Sequence, residues 1–178
     1  MIYLITGGAR SGKSTFAESL FEGREDVVYI ATSRILDDEM EERVNLHKES
    51  RPGVWRTYEG NYDLKDAIDK EKSYLLDCIT VLASNIMFDI TGYSDFIDYE
   101  LQHKVENKVI QEVEGLIKGV SDLGGDLVLV TNEVGDSIVP EHHVSRVFRD
   151  IQGRVNQRLA KLSDQVYLVC CGIPVKIK

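Results

Sequence analysis

The sequence contains little cysteine, with three in 178 residues. Cys78, Cys170 and Cys171 form no C-x-x-C pair and no zinc-ligand spacing, which argues against a zinc site. Cys170 and Cys171 are neighbours at the end of an apolar run, where buried free thiols are expected. This cysteine usage favours a reducing, cytoplasmic location.

The sequence also lacks a long apolar run and an excess of positive charge. No stretch approaches the ~20 apolar residues of a membrane helix, and Gly7–Lys13 interrupts the N-terminal run too early for a signal peptide. With 21 Lys and Arg against 30 Asp and Glu, the formal net charge is −9. This charge argues against non-specific binding to nucleic acid or to an anionic membrane, because both are polyanions. The negative net charge does not exclude binding of a nucleotide, because a nucleotide needs only a local positive site.

Short apolar runs alternate with helical patterns along the chain. The runs predicted as strands are Ile2–Thr6, Val27–Ala31, Val54–Tyr58, Tyr74–Asp77, Leu127–Thr131 and Val166–Val169. The predicted helices are Lys13–Glu22, Ile35–Lys48, Tyr62–Lys70, Ile79–Asp89, Asp95–Lys118 and Glu141–Leu162. This alternation predicts an α/β fold with a mostly parallel sheet flanked by helices, and the polar run Val54–Tyr58 is expected at an edge. Because the chain has no repeat and no long linker, residues 1–178 are expected to form one domain.

A complete phosphate-binding motif follows the first predicted strand and opens the first predicted helix. It matches G-x-x-x-x-G-K-[ST] at Gly7, Gly8, Ala9, Arg10, Ser11, Gly12, Lys13 and Ser14. Glycines let the backbone wrap closely, so that N–H groups and the helix N-terminus point at phosphate oxygens. Lys13 is expected to reach the β- and γ-phosphates, and Ser14 is expected to bind Mg²⁺. The motif predicts a P-loop enzyme that transfers phosphoryl groups.

An acidic residue that supports the metal is expected at the end of a neighbouring strand. Asp77 and Glu133 are the candidates, although either could instead cap the helix that follows. The sequence contains no Asn-Lys-x-Asp element, so it is not a switch GTPase. A kinase or another transferase remains.

His47 is a candidate nucleophile on the second predicted helix. Leu36, Met40, Val44 and His47 recur at helical spacing, which predicts that His47 continues the packed face. Lys48, Arg51 and Arg56 add positive charge near it, which favours the neutral, nucleophilic imidazole. A histidine on an apolar face is more often a core residue that makes hydrogen bonds, so both interpretations stay open here.

Ordered blocks of residues carry a specific resemblance over essentially the whole chain. They are Ile5–Ser14, Tyr29–Ser33, Leu36–Met40, His47–Lys48, Arg51–Pro52, Trp55–Thr57, Thr131–Gly135, Ile138–Pro140, Phe148–Asp150, Gly153–Gln157, Gly172–Ile173 and Val175–Lys178. The chain resembles the bifunctional adenosylcobinamide kinase / adenosylcobinamide-phosphate guanylyltransferase family (CobU/CobP) of cobalamin biosynthesis. The resemblance implies a single-domain, RecA-like P-loop fold and a homo-oligomer, a trimer.

The resemblance also implies two reactions in one site region. ATP or GTP phosphorylates the aminopropanol hydroxyl of adenosylcobinamide, and GTP then gives GMP to a histidine with loss of pyrophosphate. Transfer of that GMP to the phosphorylated corrinoid gives adenosylcobinamide-GDP. The guanylylated histidine corresponds to His47, beside catalytic Lys13, and Mg²⁺ would bind at Ser14 and Asp77. The further nucleotide-binding positions are Thr32, Ser33, Arg34, Lys48, Glu49, Ser50, Arg51, Glu59 and Asp77.

The chain departs from the family pattern in three places. Leu46 precedes His47 where relatives carry a second histidine, Asp77 stands where relatives often have Glu, and Asp136-Ser137 replaces an apolar-Gly pair. These departures bear on substrate positioning and not on the reaction class. Two alternatives accompany the bifunctional interpretation. One is a simple small-metabolite kinase in which His47 is structural, and the other is a nucleotide-responsive binding module without turnover.

Overall fold

The computed structural model describes residues 1–34, 42 and 52–178. The predicted helix Ile35–Lys48, apart from the exposed Glu42, lies outside the described residues, and so do Glu49, Ser50 and Arg51. Within the described part, one sheet of seven strands runs in the order β3-β2-β4-β5-β1-β6-β7. The strands are β1 Ile2–Thr6, β2 Val27–Ala31, β3 Arg56–Glu59, β4 Ser73–Asp77, β5 Asp126–Val130, β6 Gln165–Cys170 and β7 Ile173–Lys176.

Helices connect these strands on both faces of the sheet. Those in the described residues are α1 Lys13–Ser19, α2 Ile79–Thr91, α3 Tyr99–Asp122 and α4 His143–Leu162, with one 3-10 turn at Leu64–Ala67. Strands β1 to β6 pair in parallel, and β7 pairs antiparallel with β6. The predicted α/β fold with a mostly parallel sheet is confirmed, and the polar strand β3 lies at an edge as predicted.

Adjacent residues of β1 show why the sheet needs helices on both sides. Leu4 and Ile5 point to opposite faces of the pleat, and both are buried. Leu4 belongs to a large cluster that includes Leu82 of α2 and Val109 of α3, whereas Ile5 packs in a smaller cluster with Phe21, just beyond α1. Each fully buried side chain of this size contributes roughly 1.5–3 kcal/mol. Helices therefore cover both faces of the sheet.

Several predicted boundaries differ from the structure. The predicted helix Tyr62–Lys70 is wrong, because only Leu64–Ala67 forms a 3-10 turn. Asp63 begins that turn in a left-handed conformation, and Ile68 leaves it extended. The Leu64 amide donates to Glu112 Oε2 of α3 at 3.2 Å, a tertiary contact that fixes the start of the turn.

The cysteine prediction is also wrong at the end of β6. Cys170 and Cys171 are exposed, because the chain reverses there into β7 and Cys171 adopts a positive φ of 53° in the turn. The sequence analysis did not foresee β7 as a strand. Cys78, which follows β4, is half-buried. Among the described residues, no helix combines the length and apolar character needed to cross a membrane.

Candidate nucleotide site

The phosphate loop connects β1 to α1 and requires glycine at two positions. Gly7 and Gly12 have φ of 154° and 95°, values that side-chain-bearing residues rarely adopt. A Cβ atom on Gly7 would collide with the carbonyl oxygen of Val169, and one on Gly12 would lie 3.1 Å from Gly172 Cα. The loop is therefore packed directly against the end of β6 and the turn that follows it.

Lys13 is buried inside the loop, with 7% of its surface exposed. Its Nζ donates a hydrogen bond of 2.5 Å to the carbonyl oxygen of Gly8, which holds the ammonium group over the loop. Burial lowers the pKa of Lys13, while electrostatic interactions with Cys78 and Asp77 oppose that shift. An ammonium group buried in this way is poorly hydrated. An incoming phosphate would therefore supply a charged partner that water does not.

Two neighbouring loops fix the phosphate loop through backbone hydrogen bonds. The Gly172 amide donates to the Ser11 carbonyl at 2.8 Å, and the Glu133 amide donates to the Gly7 carbonyl at 3.0 Å. These bonds fix two loop carbonyls. The Ser11 hydroxyl is buried and has no hydrogen-bond partner in the described part of the chain. A phosphate oxygen could accept a hydrogen bond from this hydroxyl.

Asp77 lies at the carboxyl end of β4, on the same sheet edge as the phosphate loop. Strand β5 separates β4 from β1, and Asp77 still acts electrostatically on Lys13. Tyr29 Oη donates to Asp77 Oδ2 at 3.1 Å, which orients the carboxylate. The other predicted acid, Glu133, is exposed, and its Oε1 accepts from the Gly135 amide at 2.8 Å. Asp77 therefore fits a metal-supporting role better than Glu133 does.

Thr32 and Arg34 follow β2 at the same sheet edge, but their side chains already have partners. The fully buried Thr32 hydroxyl donates to the Cys78 carbonyl at 2.9 Å and accepts from the Cys78 amide at 3.0 Å. Thr32 therefore ties the end of β2 to the end of β4. Arg34 donates to both carboxylate oxygens of Asp89 at 2.7 and 2.6 Å, a pairing that raises the pKa of Arg34 and lowers that of Asp89.

The remaining predicted site residues are divided between described and undescribed parts of the chain. Ser33 is half-buried beside Thr32, and Glu59 is exposed at the end of β3. His47 and residues 48–51 lie outside the described residues. Arg56, predicted to add charge near His47, forms an ion pair with Glu71, with Nε 2.8 Å from Oε1. The described residues of the predicted site thus lie at the carboxyl ends of the parallel strands, whereas Arg56 is paired with Glu71.

A buried polar network behind the loop was missed by the sequence analysis. Gln152 Nε2 of α4 donates to Thr131 Oγ1 at 2.9 Å and to Asn156 Oδ1 at 2.8 Å. Thr131 Oγ1 donates to Asn156 Oδ1 at 2.7 Å, and Asn156 Nδ2 donates to the Asn132 carbonyl at 3.0 Å. The network fixes the segment that ends in Glu133. Its signal in the sequence is two amides spaced four residues apart between the buried positions Ile151, Val155 and Leu159.

Comparison with known proteins shows which family the chain belongs to. Residues 3–177 match the family model described as cobinamide kinase / cobinamide phosphate guanyltransferase, CobU. The chain belongs to the CobU family. The bifunctional adenosylcobalamin biosynthesis proteins CobU of Escherichia coli and Salmonella typhimurium are 46% and 47% identical to it, each over 100% of both chains. The corresponding protein CobP of Pseudomonas aeruginosa is 33% identical over 98% of this chain and 96% of its own.

A solved structure supports the fold of this CobU family member. An ATPase from the type III secretion system of pathogenic bacteria superimposes with a TM-score of 0.56 at 11% identity, covering 94% of this chain and 50% of that chain. The likeness is one of fold alone, and it confirms the predicted P-loop architecture. In this CobU family member the phosphate loop, Lys13 and Asp77 all lie at the sheet edge where the parallel strands end, which is where ligands bind in such sheets.

Proposed function

We propose that this chain is a bifunctional transferase of adenosylcobalamin biosynthesis, which phosphorylates adenosylcobinamide and then transfers GMP to the product. The observation that carries the proposal is the phosphate loop with Lys13 buried in it, in a chain matched over residues 3–177 by the CobU family model. The whole chain, residues 1–178, acts as one nucleotide-binding domain, and its use of nucleoside triphosphates is consistent with work in the cytoplasm.

In the first reaction, the aminopropanol hydroxyl oxygen attacks the γ-phosphorus of ATP or GTP. The bond from that phosphorus to the bridging oxygen breaks, the nucleoside diphosphate leaves with the electron pair, and the hydroxyl proton passes to water. Lys13 and the N–H groups of the phosphate loop stabilise the charge on the phosphoryl oxygens, which is the main catalytic requirement of such transfers. The loop residues Gly7, Gly8, Ala9, Arg10, Ser11, Gly12 and Ser14 complete this cradle.

In the second reaction, a ring nitrogen of His47 attacks the α-phosphorus of GTP. A phosphorus–nitrogen bond forms as the bond to pyrophosphate breaks. A phosphate oxygen of adenosylcobinamide phosphate then attacks the same phosphorus, which releases the imidazole and forms adenosylcobinamide-GDP. A covalent intermediate lets two large substrates enter in turn. We assign the other nucleotide contacts to Thr32, Ser33, Arg34, Lys48, Glu49, Ser50, Arg51, Glu59 and Asp77.

The residues at the loop fit a bound Mg²⁺. Ser14 and Asp77 offer the hard oxygen ligands that this ion prefers, and the phosphates and water supply the rest. Among the described residues, no cluster of three or more His, Cys, Asp or Glu could hold a metal alone, which suits an ion bound largely by its nucleotide. Bound Mg²⁺ neutralises phosphate charge. Asp77 is already oriented by Tyr29 for this task.

We further propose that the chain associates into a homotrimer. The edge strand β7 exposes Ile173 and Val175, apolar side chains that a second copy could cover. Corrinoid and nucleotide are the other proposed partners, and no nucleic acid is involved. Light scattering at several protein concentrations would test this, since a mass near one chain would contradict the trimer.

A pair of substitutions separates the two reactions. Wild type should transfer label from γ-labelled ATP or GTP to adenosylcobinamide, and label from α-labelled GTP to adenosylcobinamide phosphate. Lys13→Met should lose both activities, whereas His47→Ala should lose the second and keep the first. A wild-type protein without either activity would refute the proposal, and guanylyl transfer retained by His47→Ala would refute the role of His47.

A further inference from the structure

An apolar cavity of about 320 Å³ lies beside the nucleotide site. Its walls come from α2, α4 and the segment between β5 and α4. The apolar lining consists of Met87, Phe88, Val134, Pro140, Val144 and Phe148. The cavity is therefore unlike the loop next to it, which is built from glycines and Lys13 to receive charge.

Apolar surface continues beyond the rim of this cavity. Ile138 and Val139, which directly precede the lining residue Pro140, are 91% and 62% exposed. Large apolar side chains next to an apolar hollow mark a binding surface more often than they mark ordinary protein exterior. The site is accordingly larger than the cavity and suits a ligand that fills the hollow and spreads over its edge.

The polar groups of the cavity are neutral or already paired. Ser84 and Ser145 contribute hydroxyl groups to the lining. Arg149, the charged residue among the described part of the lining, is paired with Asp150, with Nη2 3.0 Å from Oδ1. A phosphate group would find no uncompensated cation among the described residues of this lining. A ligand with neutral amide groups around a largely apolar body would be bound better.

The cavity connects to the phosphate loop through two strand ends. Val134 of the cavity wall follows Glu133, whose amide donates to Gly7 of the loop at 3.0 Å. Helix α2, which supplies Ser84, Met87 and Phe88, begins two residues after Asp77. A ligand in the cavity therefore lies at the same sheet edge as Lys13 and can extend an arm toward a bound triphosphate.

We infer that this cavity and the apolar rim at Ile138 and Val139 bind the corrinoid acceptor, with its aminopropanol arm directed along residues 132–134 toward the phosphate loop. The inference rests on the proposed function, which requires a cobinamide as acceptor. The corrin ring has apolar faces and a periphery of neutral amide side chains, which the lining and its two serine hydroxyls complement. The cavity holds one edge of the ring, and the rim covers part of a face.

Filling the cavity tests the inference. Ser145 is exposed at the cavity wall on α4, so Ser145→Trp adds bulk there without disturbing the core. The control is Lys161→Trp, an equally exposed position near the other end of the same helix. Binding of adenosylcobinamide and of dicyanocobinamide is measured by equilibrium dialysis with corrin absorbance, and GTP binding is measured in parallel. Thermal unfolding checks that each variant is folded.

We expect Ser145→Trp to raise the Kd for both cobinamides at least about tenfold, a loss of about 1.4 kcal/mol, with unchanged affinity for GTP. Lys161→Trp and Ser145→Ala should bind the cobinamides like wild type. If Ser145→Trp keeps wild-type cobinamide affinity while wild type turns adenosylcobinamide over, the inference fails and the proposed function stands. A change of oligomeric mass with unchanged cobinamide affinity would assign the surface to a second copy of the chain and likewise overturn the inference. Wild type that neither binds nor phosphorylates a cobinamide would overturn both.

Discussion

Gly172 lies against the phosphate loop, where its amide donates a 2.8 Å hydrogen bond to the carbonyl of Ser11. The Gly172 Cα is also the atom that a side chain on Gly12 would approach to 3.1 Å. The turn between β6 and β7 therefore forms one wall of the loop. The position of this turn helps to define the conformation of the phosphate loop.

Substitution of Gly172 should weaken nucleotide binding. Gly172 has a φ of +79°, so Gly172→Ala should cost about 1 kcal/mol in stability, and relaxation of that strain should shift the amide that donates to Ser11. The matched control is Gly23→Ala, at φ +77° beyond the end of α1, because an added methyl group would meet no atom within 4 Å at either position. Both variants should lose similar stability, measured by urea unfolding, but only Gly172→Ala should lose affinity for GTP. Equal GTP affinities in the two variants would contradict the role of the turn.

The network behind the loop should be more important for stability than its exposed neighbours. Asn156→Leu removes the acceptor of the Thr131 hydroxyl and the donor to the Asn132 carbonyl. We expect a loss of about 1–3 kcal/mol in the free energy of unfolding, together with weaker GTP binding, because the Glu133 amide would no longer be held at Gly7. Gln157→Leu, at the adjacent exposed position of α4, is the control and should cost little. Equal unfolding midpoints for the two variants would contradict a stabilising role for the network.

Nucleotide affinity should depend on the charge of Lys13. Burial lowers the pKa of this ammonium group from the ordinary 10.5, so it loses its proton at a lower pH than an exposed lysine does. Affinity for GTP should therefore fall as the pH rises toward the alkaline range, and GTP binding should be accompanied by proton uptake there. Lys13→Arg binds less well but keeps its charge, so its affinity should show only the titration of the ligand itself. Identical pH profiles for wild type and Lys13→Arg would contradict the prediction.

The three thiols should differ sharply in reactivity. Burial raises the pKa of Cys78 to about 12, so its thiolate is scarce at neutral pH, whereas Cys170 and Cys171 are exposed. A thiol-specific reagent at mildly alkaline pH should modify two thiols in the native protein and all three after unfolding. Cys78→Ser should still give two native thiols, and a third fast-reacting thiol in wild type would show that Cys78 is not protected.

The sequence predicted the parts of the fold that depend on local pattern. Continuous apolar runs located β1, β2, β4 and β5, because strands covered on both faces bury most of their positions, as Leu4 and Ile5 show. The phosphate loop was recognisable because its glycines meet a backbone requirement that can be read position by position. The family resemblance added the expectation of two reactions and the candidate His47.

Features that depend on tertiary contacts could not be read in this way. Strand β7 is an exposed edge strand with Pro174 inside it, so it lacks a buried apolar run. The turn at Leu64–Ala67 is held by a bond from Leu64 to Glu112, 48 residues away. The ion pair between Arg34 and Asp89 likewise joins residues that are 55 positions apart. Such partners become visible only when the chain is folded.

The covalent state of His47 is the most direct test of the central claim. The protein is incubated with GTP labelled at the α-phosphate, denatured, and examined for label that is lost in acid and retained in alkali, as a phosphorus–nitrogen bond requires. Wild type and His103→Ala, which changes an exposed histidine of α3, should retain the label, whereas His47→Ala should not. GTP labelled at the γ-phosphate should leave none on any of them. Label that persists on His47→Ala, or wild type that never acquires it, would contradict guanylyl transfer through this residue.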